Sequence, residues 1–362
     1  MKVLTIGLAA LMLASRIQTK PAAMSLIDLA RLAEPVPLEA AHNAPDPLPL
    51  SARRGVLERR MDLRHSGARQ VRIAWEVQGP EHAPVLIVAG GISAHRHVAA
   101  SAEFPEPGWW QAQVGPGLAL DTLRYRVLAI DWLGSDGTLD VAIDSVDQAD
   151  AFAAVLDALD IESVQAFVGA SYGAMVGLQF AARHQQRLGR LIAISGADRP
   201  HPFASAWRAL QRNIVALGRS EGGRREALSL ARQLAMLSYR TAEEFAERFD
   251  ASPLLIEGSA RCAAEDYLQA CGDRYVARTP TTAFLRLSES IDLHRVEPET
   301  IAVPSTVVAI EEDRLVPKET LIGLVERLAG PTRLRLLRSR YGHDAFLKEI
   351  DAVATVLREA LA

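Results

Sequence analysis

Short apolar runs alternate with amphipathic segments along most of this chain, and that alternation limits its possible folds more than any other feature. Val71 to Val77, Val85 to Ala89, Arg126 to Leu133 and Val164 to Val168 read as strands, as do Leu188 to Ser195, Ser305 to Ile310 and Leu334 to Leu337. Asp147 to Leu159, Tyr172 to Arg183 and Leu321 to Leu328 carry helical spacing between them. A strand apolar at every position is buried on both faces, which requires helices on both sides of a parallel sheet. The pattern therefore predicts an α/β fold with a mostly parallel central sheet.

The rhythm breaks between Pro200 and Arg295. There Ala206–Leu217, Glu226–Tyr239, Ala242–Phe249 and Ala263–Ala277 read as successive helices. A helical block inserted between two strands is expected to cap one end of the sheet. The expected organisation is an arm over residues 1–50, core at 51–199, cap at 200–297 and core again at 298–362.

Composition excludes several functions. A formal net charge of −4 gives no reason to expect nucleic acid, and Arg224, Arg225 and Arg232 lie among acids as on a solvated helix face. Cys262 and Cys271 form neither a CxxC motif nor metal-ligand spacing, so reduced thiols and no metal are expected. At the N-terminus, Lys2 and the apolar run Val3 to Ala14 look like the start of a signal peptide. The run is too short to span a bilayer, no clean cleavage site follows, and Met24 is in frame. It is read as a consequence of start-site choice, with the protein cytoplasmic and not on a membrane; export is the alternative. Pro35 to Leu50, rich in Pro and Ala, reads as a loosely packed arm.

Chemistry enters at Gly169-Ala170-Ser171-Tyr172-Gly173, between an apolar strand and a helix. A G-x-S-x-G turn in that setting strains the serine backbone and exposes its hydroxyl at the carboxyl end of the sheet. Ser171 is thus the candidate nucleophile. Its base and orienting acid should follow in the order acid, then histidine. Asp313 lies just past the strand STVVAI, with Glu311 and Glu312 as competitors, and His343 lies in YGHDAF after the next strand. His42, His65 and His82 read as surface or loop residues, while His184 and His294 lie outside the expected triad positions. Acyl chemistry also needs oxyanion donors, each typically worth about 3 kcal/mol. The backbone N–H of Tyr172 is one candidate and that of Ile92, in Gly90-Gly91-Ile92-Ser93, is the other; a plain tight turn is the alternative for this loop.

These elements describe an α/β-hydrolase fold, and the surrounding segments resemble one branch of it, the homoserine O-acyltransferase family. The likeness rests on His97-Val98-Ala99, Gly108-Trp109-Trp110, Gly115-Pro116-Gly117 with Asp121-Thr122, Gln211-Arg212 and Ser238-Tyr239-Arg240. It continues through Phe284-Leu285, Ser290-Ile291-Asp292-Leu293 and Gly342-His343-Asp344-Ala345-Phe346-Leu347. The resemblance implies acyl transfer from a coenzyme A thioester to a hydroxy amino acid through an acyl-serine. It further implies that Arg212 binds the amino-acid carboxylate, and that Tyr239 and Asp344 hold its amine and hydroxyl end. Structural alternatives are a cap salt bridge for Arg212, a core hydroxyl for Tyr239 and a helix cap for Asp344.

The chain departs from the acetyl-using members at Gly91-Ile92-Ser93-Ala94-His95-Arg96-His97, at Asp131-Trp132-Leu133-Gly134-Ser135-Asp136 and at Ser171-Tyr172-Gly173. Those departures resemble the branch that uses succinyl-CoA to make O-succinylhomoserine for methionine. Arg96, close to the oxyanion loop, is the candidate for the succinyl carboxylate, with an exposed Arg96 as the alternative. L-Homoserine and succinyl-CoA are the implied substrates, no cofactor is implied, and the family's habit of dimerising through the cap implies a homodimer. Acetyl-CoA as donor, serine as acceptor, or simple ester or thioester hydrolysis are the rival activities.

Overall fold

The computed structural model describes residues 52–362. The expected arm, the signal-like run and Met24 lie outside the described residues. Eight strands make one sheet: β1 Ala52–Leu63, β2 Gly67–Gln78, β3 Val85–Ala89, β4 Arg126–Ile130, β5 Ala166–Ala170, β6 Leu191–Ile194, β7 Ser305–Ile310 and β8 Thr332–Leu337. Their spatial order is β1-β2-β4-β3-β5-β6-β7-β8. β1 pairs antiparallel with β2, and β2 antiparallel with β4; every later pairing is parallel.

The pleat divides the core between two faces. Ile87, Leu128 and Phe167 point to one side, where Phe152 of α1 (Ser145–Ala158) and Phe180 of α2 (Tyr172–Arg183) meet them. Leu86, Val88, Val168 and Ile192 point to the other, against Trp110, Val353 and Leu357. This two-sided burial is why β3 to β6 read as unbroken apolar runs.

β1 escaped the sequence reading because it is an edge strand. Its two-residue alternation is hidden among Arg53, Arg54, Glu58, Arg59 and Arg60, and most of its side chains are not buried. The hairpin is tied to the core through Asp144, which caps α1 by accepting from the N–H groups of Val146 and Asp147. The other Asp144 oxygen accepts from Arg64 at 3.3 Å and from His65 at 2.9 Å, both in the β1–β2 turn.

Five helices lie between β6 and β7: α3 Pro202–Leu217, α4 Glu221–Tyr239, α5 Ala242–Phe249, α6 Ala263–Val276 and α7 Thr281–Asp292. They have a small core of their own, built on Val215, Leu228, Ala231, Tyr275 and Phe284. The block is not wholly helical. A hairpin pairs Leu254–Ile256 with Ser259–Arg261, where Glu257 and Gly258 supply positive φ. α8 (Lys318–Arg327) and α9 (Ile350–Leu361) complete the second core segment. Cys262 and Cys271 are free thiols.

Candidate active site

β5 ends at Ala170 and α2 begins at Tyr172, leaving Ser171 alone in the turn. Its φ of 54° and ψ of −117° are strained for a residue with a side chain. The flanking glycines make this bend possible. A Cβ on Gly173 would lie 2.1 Å from the carbonyl oxygen of Ala89, and one on Gly169 would lie 2.3 Å from that of Gly173. Ser171 occupies the N-cap position of α2 but makes no side-chain cap. Its hydroxyl instead lies 2.7 Å from Nε2 of His343.

His343 stands on a single helical turn, Gly342–Asp344, after β8. Its Nδ1 lies 2.7 Å from Oδ2 of Asp313, in the loop after β7. With Nδ1–H donating to that carboxylate, Nε2 is left to accept from Ser171. The remaining Asp313 oxygen accepts from the N–H groups of Leu315 at 2.8 Å and Val316 at 3.0 Å. Asp313 is thus fixed on both oxygens and buried. Its competitors point elsewhere. Glu312 accepts from the Ser339 N–H at 2.7 Å, and Glu311 pairs with Lys318 and Arg338.

Burial works against charge on His343, but the Asp313 charge and hydrogen bond outweigh it and hold the pKa above the ordinary 6.5. A second serine–histidine contact, Ser145 to His294 at 2.6 Å, is of another kind. His294 is fully buried, its Nε2 donates to the Ala197 carbonyl at 2.9 Å, and burial pushes its pKa down to about 4. It lies off the cavity wall, has no carboxylate partner, and joins the end of the cap to α1.

Ile92 and Tyr172 face the same space as Ser171. Neither backbone N–H has a hydrogen-bond partner among the described residues. Unpaired donors beside a nucleophile are available to a developing oxyanion. The loop carrying Ile92 is braced from below, because Trp132 Nε1 donates to the Gly91 carbonyl at 3.1 Å. Trp132 also packs edge-on against the Tyr172 ring at 4.9 Å, and the Tyr172 hydroxyl meets Ser290.

The triad opens into a cavity of about 340 Å³ between sheet and cap. Tyr239 lines it, with its ring 6.0 Å from that of His343. Asp344 lines it too and accepts from Arg240 Nε at 2.7 Å.

Two expected residues are placed differently. Arg212 does not line the cavity: its guanidinium is held by Asp292 at 2.7 Å and Ser288 at 2.9 Å, the cap salt bridge. Arg208, one helical turn earlier, does line it and shares the same Asp292. Arg96 is also off the wall. Asp131 accepts from both its backbone N–H, at 2.8 Å, and its guanidinium, at 2.7 Å, and so fixes the side chain on the loop after β4. His95 faces the cavity from that loop instead, with burial lowering its pKa.

Several lining residues gave no sequence signal: Arg208, Gln211, Arg232, Arg278 and Ser195. Ser195 has a φ of 51°, and its buried hydroxyl lacks a partner among the described residues. An unusual φ leaves no mark in composition. The arginines are spaced like any other charges on a helix.

A family profile described as the alpha/beta hydrolase fold matches residues 84–350. A homoserine O-succinyltransferase of Xanthomonas campestris is 61% identical over 308 residues, covering 85% of this chain and 84% of that one. The chain belongs to the homoserine O-acyltransferase family of the α/β hydrolase fold. A serine O-succinyltransferase of Xanthomonas campestris is a more distant member of the homoserine O-acyltransferase group, 31% identical over 379 residues, with 89% of this chain and 97% of that one covered. Among solved structures, a homoserine O-acetyltransferase from Bacillus anthracis superimposes with a TM-score of 0.77 at 17% identity, covering 86% of this chain and 97% of that one. At that identity the likeness shows the fold alone. Among the described residues, no helix is long and apolar enough to cross a membrane.

Proposed function

We propose that this protein transfers the succinyl group of succinyl-CoA to the hydroxyl of L-homoserine through an acyl-serine on Ser171, supplying methionine synthesis. The observation that carries the reading is the 61% identity to a homoserine O-succinyltransferase in a chain whose serine, histidine and aspartate lie within hydrogen-bonding distance.

In the first half-reaction Ser171 Oγ attacks the thioester carbon while its proton passes to Nε2 of His343. The carbonyl oxygen becomes an oxyanion held by the N–H groups of Ile92 and Tyr172. Collapse breaks the carbon–sulfur bond, and the departing sulfur takes the proton from His343. Asp313 stabilises the imidazolium between these steps. In the second half-reaction the homoserine hydroxyl gives its proton to His343 and attacks the acyl-serine. The bond to Ser171 then breaks, and Oγ recovers the proton.

Tyr239 and Asp344, beside His343 on the cavity wall, are assigned to the hydroxyl and amine end of the acceptor. The acceptor carboxylate is assigned to Arg208, with Arg212 gripping Asp292 behind it. Transfer must outrun hydrolysis, and the cap over the cavity excludes water from the acyl-serine.

A homodimer through the cap belongs to the same reading. Leu210 and Leu217 on α3, and Leu230 and Leu237 on α4, recur at seven-residue spacing and are 54%, 77%, 54% and 41% exposed. Such an apolar face on a cap is suited to a second copy. A cytoplasmic location fits a succinyl-CoA donor and the free thiols of Cys262 and Cys271.

The test is thiol release by the purified protein with succinyl-CoA or acetyl-CoA, each with homoserine, serine or neither. Fast release only with succinyl-CoA plus homoserine, with O-succinylhomoserine as product, is expected. Release that ignores the amino acid would make the protein a hydrolase. A preference for acetyl-CoA or serine would replace the donor or the acceptor.

A further inference from the structure

The arginines around the cavity fall into two groups. Arg208 is neutralised by Asp292, and Arg240 by Glu244 and Asp344. Arg232 and Arg278 line the same cavity and have no acidic partner among the described residues. Arg232 is held by aromatic faces, its guanidinium carbon 4.8 Å from the Tyr275 centroid and 5.5 Å from that of Tyr239. Aromatic rings position a cation without cancelling its charge. Arg278 follows the C-terminus of α6 and is exposed, as is Arg274 one turn before it. Crowding by protein and the repulsion of Arg232 and Arg274 hold the Arg278 pKa below its usual value, and no acid acts in the opposite sense. Arg199 also lacks an acidic partner, but it stands on the loop after β6, apart from this group.

These cations run outward. Arg232 is one tyrosine ring from the catalytic histidine, while Arg278 and Arg274 face solvent. A cluster of like charges retained beside a cavity is suited to a ligand that brings several negative charges. A single carboxylate, or a zwitterionic amino acid with no net charge, would leave most of it unmatched. The phosphates of coenzyme A are multiply anionic, and a long arm separates them from the thioester sulfur. With the acyl carbon at the buried Ser171, that arm must leave along the cavity toward solvent.

We propose that Arg232, Arg274 and Arg278 form the subsite for the phosphates of the coenzyme A donor, so that the donor enters past the C-terminal end of α6. This inference rests on the reading of a coenzyme A thioester as donor. Arg278 and Arg274 anchor the phosphates, and Arg232 guides the arm toward Tyr239 and the triad.

The test compares two donors with the same acyl group and the same thioester, succinyl-CoA and succinyl-pantetheine, the second lacking phosphates. The double variant Arg274→Ala/Arg278→Ala is expected to lose about ten- to hundredfold in kcat/KM with succinyl-CoA, mainly through KM. With succinyl-pantetheine it is expected to match the unaltered protein. Equal losses with both donors would move these arginines to the acyl group or the fold, and no loss with either would remove them from donor binding; each overturns the proposal. Calorimetric binding of adenosine 3′,5′-bisphosphate provides a readout independent of turnover. Binding to the unaltered protein that is lost in the double variant is expected, and no binding to the unaltered protein would overturn the subsite. Failure of every thioester as substrate, with that binding retained, would instead overturn the acyl-transfer reading.

Discussion

Ser171 gives up the helix cap its position would normally make and spends its hydroxyl on His343. Replacing it with Ala removes the nucleophile at little cost to packing. Turnover is expected to fall by several orders of magnitude while thermal stability holds or rises, as steady-state kinetics and calorimetry would show. The proton balance of His343 gives a second prediction. The base must be neutral to accept from Ser171, and Asp313 holds its pKa above 6.5. The acid limb of kcat/KM is therefore expected to turn above pH 6.5. Asp313→Asn should move that limb downward while lowering the plateau. A limb that Asp313→Asn leaves in place would assign the titration to another group. The triad was legible from residue order because strand, turn and helix fix where each member must stand. Arg212 and Arg96 were assigned by likeness alone, and the acids that claim them, Asp292 and Asp131, lie 80 and 35 residues away in sequence.

At the scale of elements, β3 to β7 and α2 were readable because both sheet faces are buried and period and burial agree. β1 was not, because an edge strand bristling with arginines carries little apolar signal. The Leu254–Arg261 hairpin was also missed, since its strands are three residues each and mostly exposed. The join between α1 and the end of the cap rests on His294, buried neutral with its pKa near 4 against an unfolded 6.5. Between those values the unfolded chain binds the extra proton. Stability is thus complete above about pH 6.5 and declines as pH falls toward 4, by up to about 3 kcal/mol from this group. His294→Gln should flatten that decline in denaturant melts across the window. An unchanged slope would place the acid sensitivity elsewhere. On the cap, Leu217→Glu with Leu230→Glu is expected to convert a dimer to a monomer in light scattering, with the secondary structure kept. A monomer before substitution would rule out the cap dimer.

The whole molecule divides its work between a rigid sheet and an inserted cap. The carboxyl ends of β3, β5, β7 and β8 deliver the oxyanion loop, Ser171, Asp313 and His343 to one point. The cap covers that point and brings the arginines of α3 and α4 to it. Sequence order could locate the sheet's contributions, since each follows a strand. The cap's contributions depend on how helices cross, which no local pattern records. The central claim is that acyl transfer proceeds through Ser171. Intact-protein mass spectrometry after mixing with succinyl-CoA alone tests it most directly. The account predicts one succinyl adduct, mapped to Ser171, absent in Ser171→Ala and discharged on adding L-homoserine with O-succinylhomoserine as product. Product formation by the unaltered enzyme with no adduct at any time, or an adduct that homoserine leaves in place, would contradict it.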